Sequence, residues 1–214
     1  MQQDWLKRDG ERDLVLFLLG WASTPNAVCH IHPPECDVLA VHNYTSLEPF
    51  RPEDFAAYRR IYLFAWSFGV WVAEQCCLAL PLYKAIALNG TPFPSDDRYG
   101  MRLRVVLRTA KSIARLGINP FESSEFGGHG IPPGPYPDRD MQAKVDELVR
   151  LADWSSRDSA ARLRWNKAWI ADKDEIFPVS HMRAWWDSVG LGTSFSSYHY
   201  PFADPAIVLD EIDR

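Results

Sequence analysis

The segment Ile61-Tyr-Leu-Phe-Ala-Trp-Ser67-Phe-Gly69-Val70 restricts the fold of this chain more than any other stretch. Its apolar run predicts a strand covered on both faces, and residues 67–80 predict a helix, so the backbone must turn sharply at Ser67. A turn of that kind strains the serine and lifts its hydroxyl clear of the sheet. Small residues two positions to either side let strand and helix approach each other. Ala65 and Gly69 hold those places; glycine is usual at both, and alanine is the smallest departure from it. A plainer reading makes Ser67 no more than the N-cap of the helix it opens.

Similar nearly continuous apolar runs at 13–19, 84–88 and 166–171, with less continuous ones at 37–42 and 194–198, predict further strands. Helices are expected at 52–58, 67–80, 178–188 and 205–213, with prolines suited to a first helical turn at several starts. Alternation of this sort gives an α/β protein with a doubly wound, mostly parallel sheet. Residues 91–163 break the rhythm. They hold helix-like stretches at 98–115 and 138–164 around the Gly/Pro-rich segment 127–137, and read as a helical cap inserted into a core formed by residues 1–90 and 164–214.

A chain of 214 residues, 47% hydrophobic, supports one such core and one site. The net charge of −5 gives no overall field for nucleic acid or an anionic membrane. The apolar run 14–21 is too short to span a bilayer, and Asp4, Glu11 and Asp13 precede it, so no export is implied and a cytoplasmic protein is expected. A monomer is the expected oligomeric state. Four cysteines, two of them adjacent at Cys76 and Cys77, suit reduced thiols. Cys29-His-Ile-His32 and Cys36 match no common zinc spacing, and neither a metal nor another cofactor is called for.

A serine nucleophile needs a base, and the base needs a carboxylate to fix its tautomer; on an α/β-hydrolase sheet the three follow in the order Ser, acid, His. After the strand at 166–171 comes Ala171-Asp-Lys-Asp174-Glu-Ile-Phe-Pro178, which resembles the G-x-x-D-x-x-x-P run of many hydrolases, with Ala171 in the glycine position. Asp174 is the chosen acid, with Asp172 and Glu175 as close rivals and Asp96 or Asp97 as acids for a variant topology. His199, in the loop after the last strand, is placed to swing over the serine, whereas His181 would travel along a helix. His129, beside Gly127 and Gly128, reads as a loop residue. For the oxyanion, the N–H of Phe68 follows the nucleophile, and Gly20 in Leu19-Gly-Trp-Ala22 presents the N–H of Trp21.

The cap concentrates Arg98, Arg102, Arg104, Arg108, Lys111 and Arg115 in one stretch and Arg157, Arg162 and Arg164 in another. In an acidic protein this points to an anionic partner, although charge runs are often only solvated helix faces.

With these residues placed, the chain resembles the BioG family of pimeloyl-[acyl-carrier protein] methyl ester esterases of biotin synthesis. The likeness rests on Leu-Gly-Trp-Ala at 19–22, Phe-Ala-Trp-Ser-Phe-Gly-Val at 64–70, Ala-Ile-Ala-Leu-Asn-Gly-Thr-Pro at 85–92, Phe-Gly-Gly-His at 126–129, Ala-Asp-Lys-Asp-Glu-Ile-Phe-Pro at 171–178 and Tyr-His-Tyr-Pro at 198–201. It implies a serine carboxylesterase that frees the terminal carboxylate of the carrier-bound acyl chain, with Ser67, His199 and Asp174 as the triad and Trp21 and Phe68 on the oxyanion. It also implies that the acidic acyl carrier protein docks on arginines of the cap, for which Arg98, Arg102, Arg108, Arg115 and Arg157 are the candidates. A general short-chain carboxylesterase or thioesterase, or a non-catalytic binding protein on the same fold, are the other readings.

Overall fold

A computed structural model describes residues 1–128 and 134–213; His129, read above as a loop residue, lies outside them. Six strands run parallel: β2 (Asp13–Leu18), β3 (Cys36–His42), β4 (Arg60–Trp66), β5 (Lys84–Leu88), β6 (Lys167–Ala171) and β7 (Gly192–Phe195). Their order is β3-β2-β4-β5-β6-β7, and β1 (Gln2–Lys7) adds an antiparallel edge against β3. The expected α/β-hydrolase sheet is present. β1 was not expected, because its sequence Gln-Gln-Asp-Trp-Leu-Lys is polar and only half-buried, as an exposed edge strand tolerates.

Both faces of the sheet are covered, which is why its strands read as unbroken apolar runs. Leu14, Leu16 and Leu18 of β2 enter one core cluster, and Val15 and Phe17 enter the other. Fully burying side chains of this size contributes about 1.5–3 kcal/mol each. All four cysteines are unbridged.

Helix α1 (Phe68–Cys76) follows β4 directly. Between β5 and β6 lie α2 (Leu103–Leu116), α3 (Asn119–Phe126) and α4 (Met141–Arg157), and α5 (Val179–Trp186) and α6 (Ala206–Leu209) follow later. Val106, Ala110 and Ile113 of α2 and Leu148 and Leu151 of α4 join the cluster that covers the α1 face of the sheet, so this insertion shares its core.

Several helical expectations change: the helix expected at 67–80 ends at Cys76, and the one expected at 98–115 begins at Leu103. Residues 52–58 form a short 3-10 turn at Pro52–Phe55, the last helix shrinks to Ala206–Leu209, and the stretch 138–164 is helical only to Arg157. Beyond Arg157 the backbone is drawn across α1: Trp71 Nε1 donates to the Asp158 carbonyl at 2.7 Å, and the Glu74 carboxylate accepts the N–H groups of Arg162 and Leu163 at 2.6 and 2.7 Å.

Candidate active site

The turn between β4 and α1 has the conformation its sequence demands. Ser67 has φ 57° and ψ −124°, a left-handed backbone that a non-glycine residue holds only under constraint from its surroundings. Its N–H donates to the Leu88 carbonyl at 2.9 Å, and its carbonyl accepts the Val70 N–H at 3.1 Å. Gly69 packs so closely on β2 that any side chain there would run into the Leu18 carbonyl. Ala65, fully buried, fits the other small position.

The imidazole of His199 bridges the other two predicted residues. Its Nε2 lies 2.9 Å from Ser67 Oγ, and its Nδ1 lies 2.7 Å from Asp174 Oδ2. Asp174 Oδ1 is held by the N–H groups of Ile176 and Phe177, both at 2.8 Å, which orients the carboxylate toward the ring. Burial works against a charged His199, and the adjacent Asp174 outweighs it, with help from Glu125, so the pKa lies above that of an ordinary histidine. The three residues leave the carboxyl ends of β4, β6 and β7, the edge at which open α/β sheets bind ligands.

Two residues that sequence reasoning passed over hold the histidine loop. Asn89, buried after β5, donates from Nδ2 to the His199 carbonyl at 2.8 Å, while its Oδ1 accepts the Ala171 N–H at 2.8 Å. Trp66 Nε1 donates to the same His199 carbonyl at 2.9 Å. Both residues stood inside quoted motifs, and that position was the only available signal.

Ser67, Phe68, Trp21 and His199 line one cavity of about 150 Å³, whose apolar wall includes Val105 and Val106 of α2. Gly20 lies against the nucleophile, since a Cβ on it would stand 3.3 Å from Ser67 Cβ. Among the described residues no protein acceptor takes the N–H of Trp21 or of Phe68. Glu125 of α3, also unforeseen, completes this wall; burial chiefly, with His199 opposing and Glu122 and Asp174 adding, pushes its carboxyl up to about 8. Such a site can activate a hydroxyl and stabilise an oxyanion.

The carboxylate on His199 Nδ1 is that of Asp174 and not of a rival acid. Asp172 Oδ1 accepts the Ser197 N–H, Asp96 Oδ1 accepts from Arg98 and Tyr99, and Asp97 is exposed, while Glu175 lines the cavity wall. His181 Nδ1 is bound to the Gly100 carbonyl, and His30 Nε2 to that of Phe202. Among the candidate arginines, Arg102 at the N-terminus of α2 and Arg108 and Arg115 along that helix are exposed, without an ion pair to a described residue. Arg98 lies over the Tyr99 ring at 4.9 Å, and Arg157 is paired with Asp153 at 2.6 Å.

Residues 1–206 match the family described as Pimeloyl-ACP methyl esterase BioG. The chain belongs to the BioG family. It is therefore a carboxylic ester hydrolase, and the BioG reaction is hydrolysis of the methyl ester of pimeloyl-[acyl-carrier protein] in biotin synthesis. The crystal structure of BioG from Haemophilus influenzae superposes with a TM-score of 0.83 at 28% identity over 94% of each chain. An uncharacterized protein of Haemophilus influenzae is 30% identical over 89% of each chain. A malonyl-[acyl-carrier protein] O-methyltransferase of Bacteroides fragilis is 31% identical over 82% of this chain, which spans only 36% of that longer protein. A lipase-esterase related protein of Clostridium acetobutylicum shares the fold, with a TM-score of 0.60 at 14% identity.

Proposed function

We propose that Ser67, His199 and Asp174 perform the BioG hydrolysis as nucleophile, general base and orienting carboxylate. The observation that carries this is the unbroken hydrogen-bonded path from Ser67 Oγ through both ring nitrogens of His199 to Asp174. His199 Nε2 takes the hydroxyl proton as Ser67 Oγ attacks the ester carbonyl, and the resulting oxyanion meets the N–H groups of Trp21 and Phe68. Collapse expels the methoxy group, which leaves as methanol with the proton from His199. Water, deprotonated in turn by His199, then releases the acyl chain as a carboxylic acid and restores Ser67.

The carrier protein docks, on this reading, along α2. Arg104, Arg108, Lys111 and Arg115 recur at helical spacing on one exposed face, while Val106 of the same helix lines the cavity. An acidic partner held there has its acyl arm beside the cavity mouth. Arg102 stands at the N-terminus of that helix with Arg98 shortly before it, and Arg157 ends α4; on this reading the exposed Arg98 and Arg102 add positive charge to the docking region, and the paired Arg157 contributes least. Residues 91–163 act as the cap of the core formed by the rest. One chain supplies every group named, which suits a monomer, and no described helix is long and apolar enough to cross a membrane, which suits work in the cytoplasm.

Fluorophosphonate treatment followed by peptide mass mapping tests the triad. An adduct on Ser67 that disappears in His199→Ala is the expected result. An unlabelled Ser67 in the folded wild type would favour a binding protein without catalysis.

A further inference from the structure

The turn that carries Trp21 is held by the helical insertion. Trp21 Nε1 donates to the Lys144 carbonyl of α4 at 2.6 Å, and one oxygen of Glu147, also on α4, accepts the Ala22 N–H at 3.2 Å. The other Glu147 oxygen accepts the Tyr44 N–H at 2.6 Å. Arg139 then donates to Glu147 Oε2 and to Asn43 Oδ1, both at 2.7 Å. The Glu147 side chain is 1% exposed. A single buried carboxylate thus ties together the turn after β2, the turn after β3 and the segment entering α4.

Both of those turns contain a strained residue. Ala22 has φ 63° and Asn43 has φ 52°, left-handed conformations that persist in non-glycine residues only where the surroundings over-determine them. At Ala22 the constraint comes from Glu147, and at Asn43 from its partner Arg139. Gly20, two residues before Ala22, is pressed against Ser67. The peptide carrying the Trp21 N–H therefore sits between one end fixed by the nucleophile and another fixed by α4.

We infer that Glu147 is a positioning residue for the oxyanion site: by holding Ala22 it aims the Trp21 N–H, and it makes the helical insertion part of the catalytic apparatus as well as a wall of the pocket. The inference rests on the reading of Trp21 as an oxyanion donor. Glu147 touches no reacting atom, so its effect passes through the backbone of residues 20–22. The charge is matched to this work, because an ionised carboxylate accepts several donors at once, and these bonds are stronger than neutral ones.

Glu147→Gln tests it, since it keeps the volume but turns an amide N–H₂ toward groups that are all donors. Kinetics on p-nitrophenyl acetate are compared with inhibition by an alkyl trifluoromethyl ketone, which forms a tetrahedral adduct on the serine, and by the matching methyl ketone. We expect kcat to fall by roughly tenfold to a hundredfold, at or below the roughly 10²–10³-fold loss that removing an oxyanion donor outright causes, because here the donor is only misaimed, while KM moves less than about twofold. Affinity for the fluorinated ketone should fall with kcat/KM, that for the methyl ketone should not, and Glu147→Asp should recover part of the loss.

Glu74→Gln is the control for general loosening. Glu74 is equally buried and accepts three donors, from Arg162, Leu163 and Trp165, none of which belongs to the Trp21 turn. It should lower the denaturation midpoint yet leave kcat within about twofold. Unchanged kcat in Glu147→Gln, equal losses for the two ketones, or the same kcat loss in Glu74→Gln would each overturn the inference. Ser67→Ala, assayed alongside, separates the layers: if it hydrolyses the ester as wild type does, the triad reading falls and takes the inference with it. If Ser67→Ala is inert and Glu147→Gln unaffected, the inference alone falls.

Discussion

Replacing Glu125 with Gln should stabilise the protein, and by an amount that depends on pH in a defined way. Glu125 is 7% exposed, and among the described residues no N–H or O–H donates to its carboxyl group, so burial holds the proton on it up to about pH 8 against 4.5 for an ordinary glutamate. Below about 4.5 both folded and unfolded chains keep that proton, and the group costs nothing through ionisation. Between the two values the unfolded chain releases a proton that the folded chain retains, so stability falls as pH rises. Above about 8 both states are ionised and the cost stops growing. At about 1.4 kcal/mol per pH unit, the cost is below about 1 kcal/mol at pH 5 and up to about 3 kcal/mol at pH 7. Glutamine has the same shape and no proton to lose. Urea unfolding of wild type and Glu125→Gln at pH 5, 7 and 8 reads the difference directly. The variant should gain on wild type across that range; a gap equal at pH 5 and pH 8, or a wild type more stable at pH 8, would refute the assignment of a buried, donor-poor carboxyl.

Other outcomes follow from the same geometry. Because Asp174 raises the His199 pKa, kcat/KM for p-nitrophenyl acetate should rise with pH through a midpoint above 6.5; Asp174→Asn should move that midpoint down and lower the rate by roughly 10⁴-fold. A pH profile unmoved by Asp174→Asn would show that another acid serves the histidine. Arg108→Glu combined with Arg115→Glu should raise KM for the carrier-bound ester by about tenfold at low salt, with the effect shrinking as salt is added. An equal change for a small free ester would place the defect in the pocket instead of the docking face.

The parallel sheet was legible because each strand is covered on both faces, leaving runs such as Leu14–Leu18 without polar interruption. Ser67, Asp174 and His199 were legible because the chemistry fixes both their types and their order at strand ends, and the fold brings those three within hydrogen-bonding distance. The supporting residues were not. Asn89 finds the His199 carbonyl across 110 positions of chain, and Glu147 finds Tyr44 across 103, distances at which no local pattern links donor to acceptor. Glu125 and Glu147 lie on short or amphipathic helices, where a glutamate ordinarily faces water. The end of α4 at Arg157 was hidden for a related reason, since local helix preference there yields to bonds made by Trp71 and Glu74 on a different helix.

The central claim is that Ser67 demethylates a carrier-bound acyl ester. Wild type and Ser67→Ala should be incubated with pimeloyl-[acyl-carrier protein] methyl ester and the carrier followed by intact mass. The account predicts loss of the methyl group with wild type and an unchanged carrier with Ser67→Ala. Demethylation by both proteins, or by neither, would contradict it.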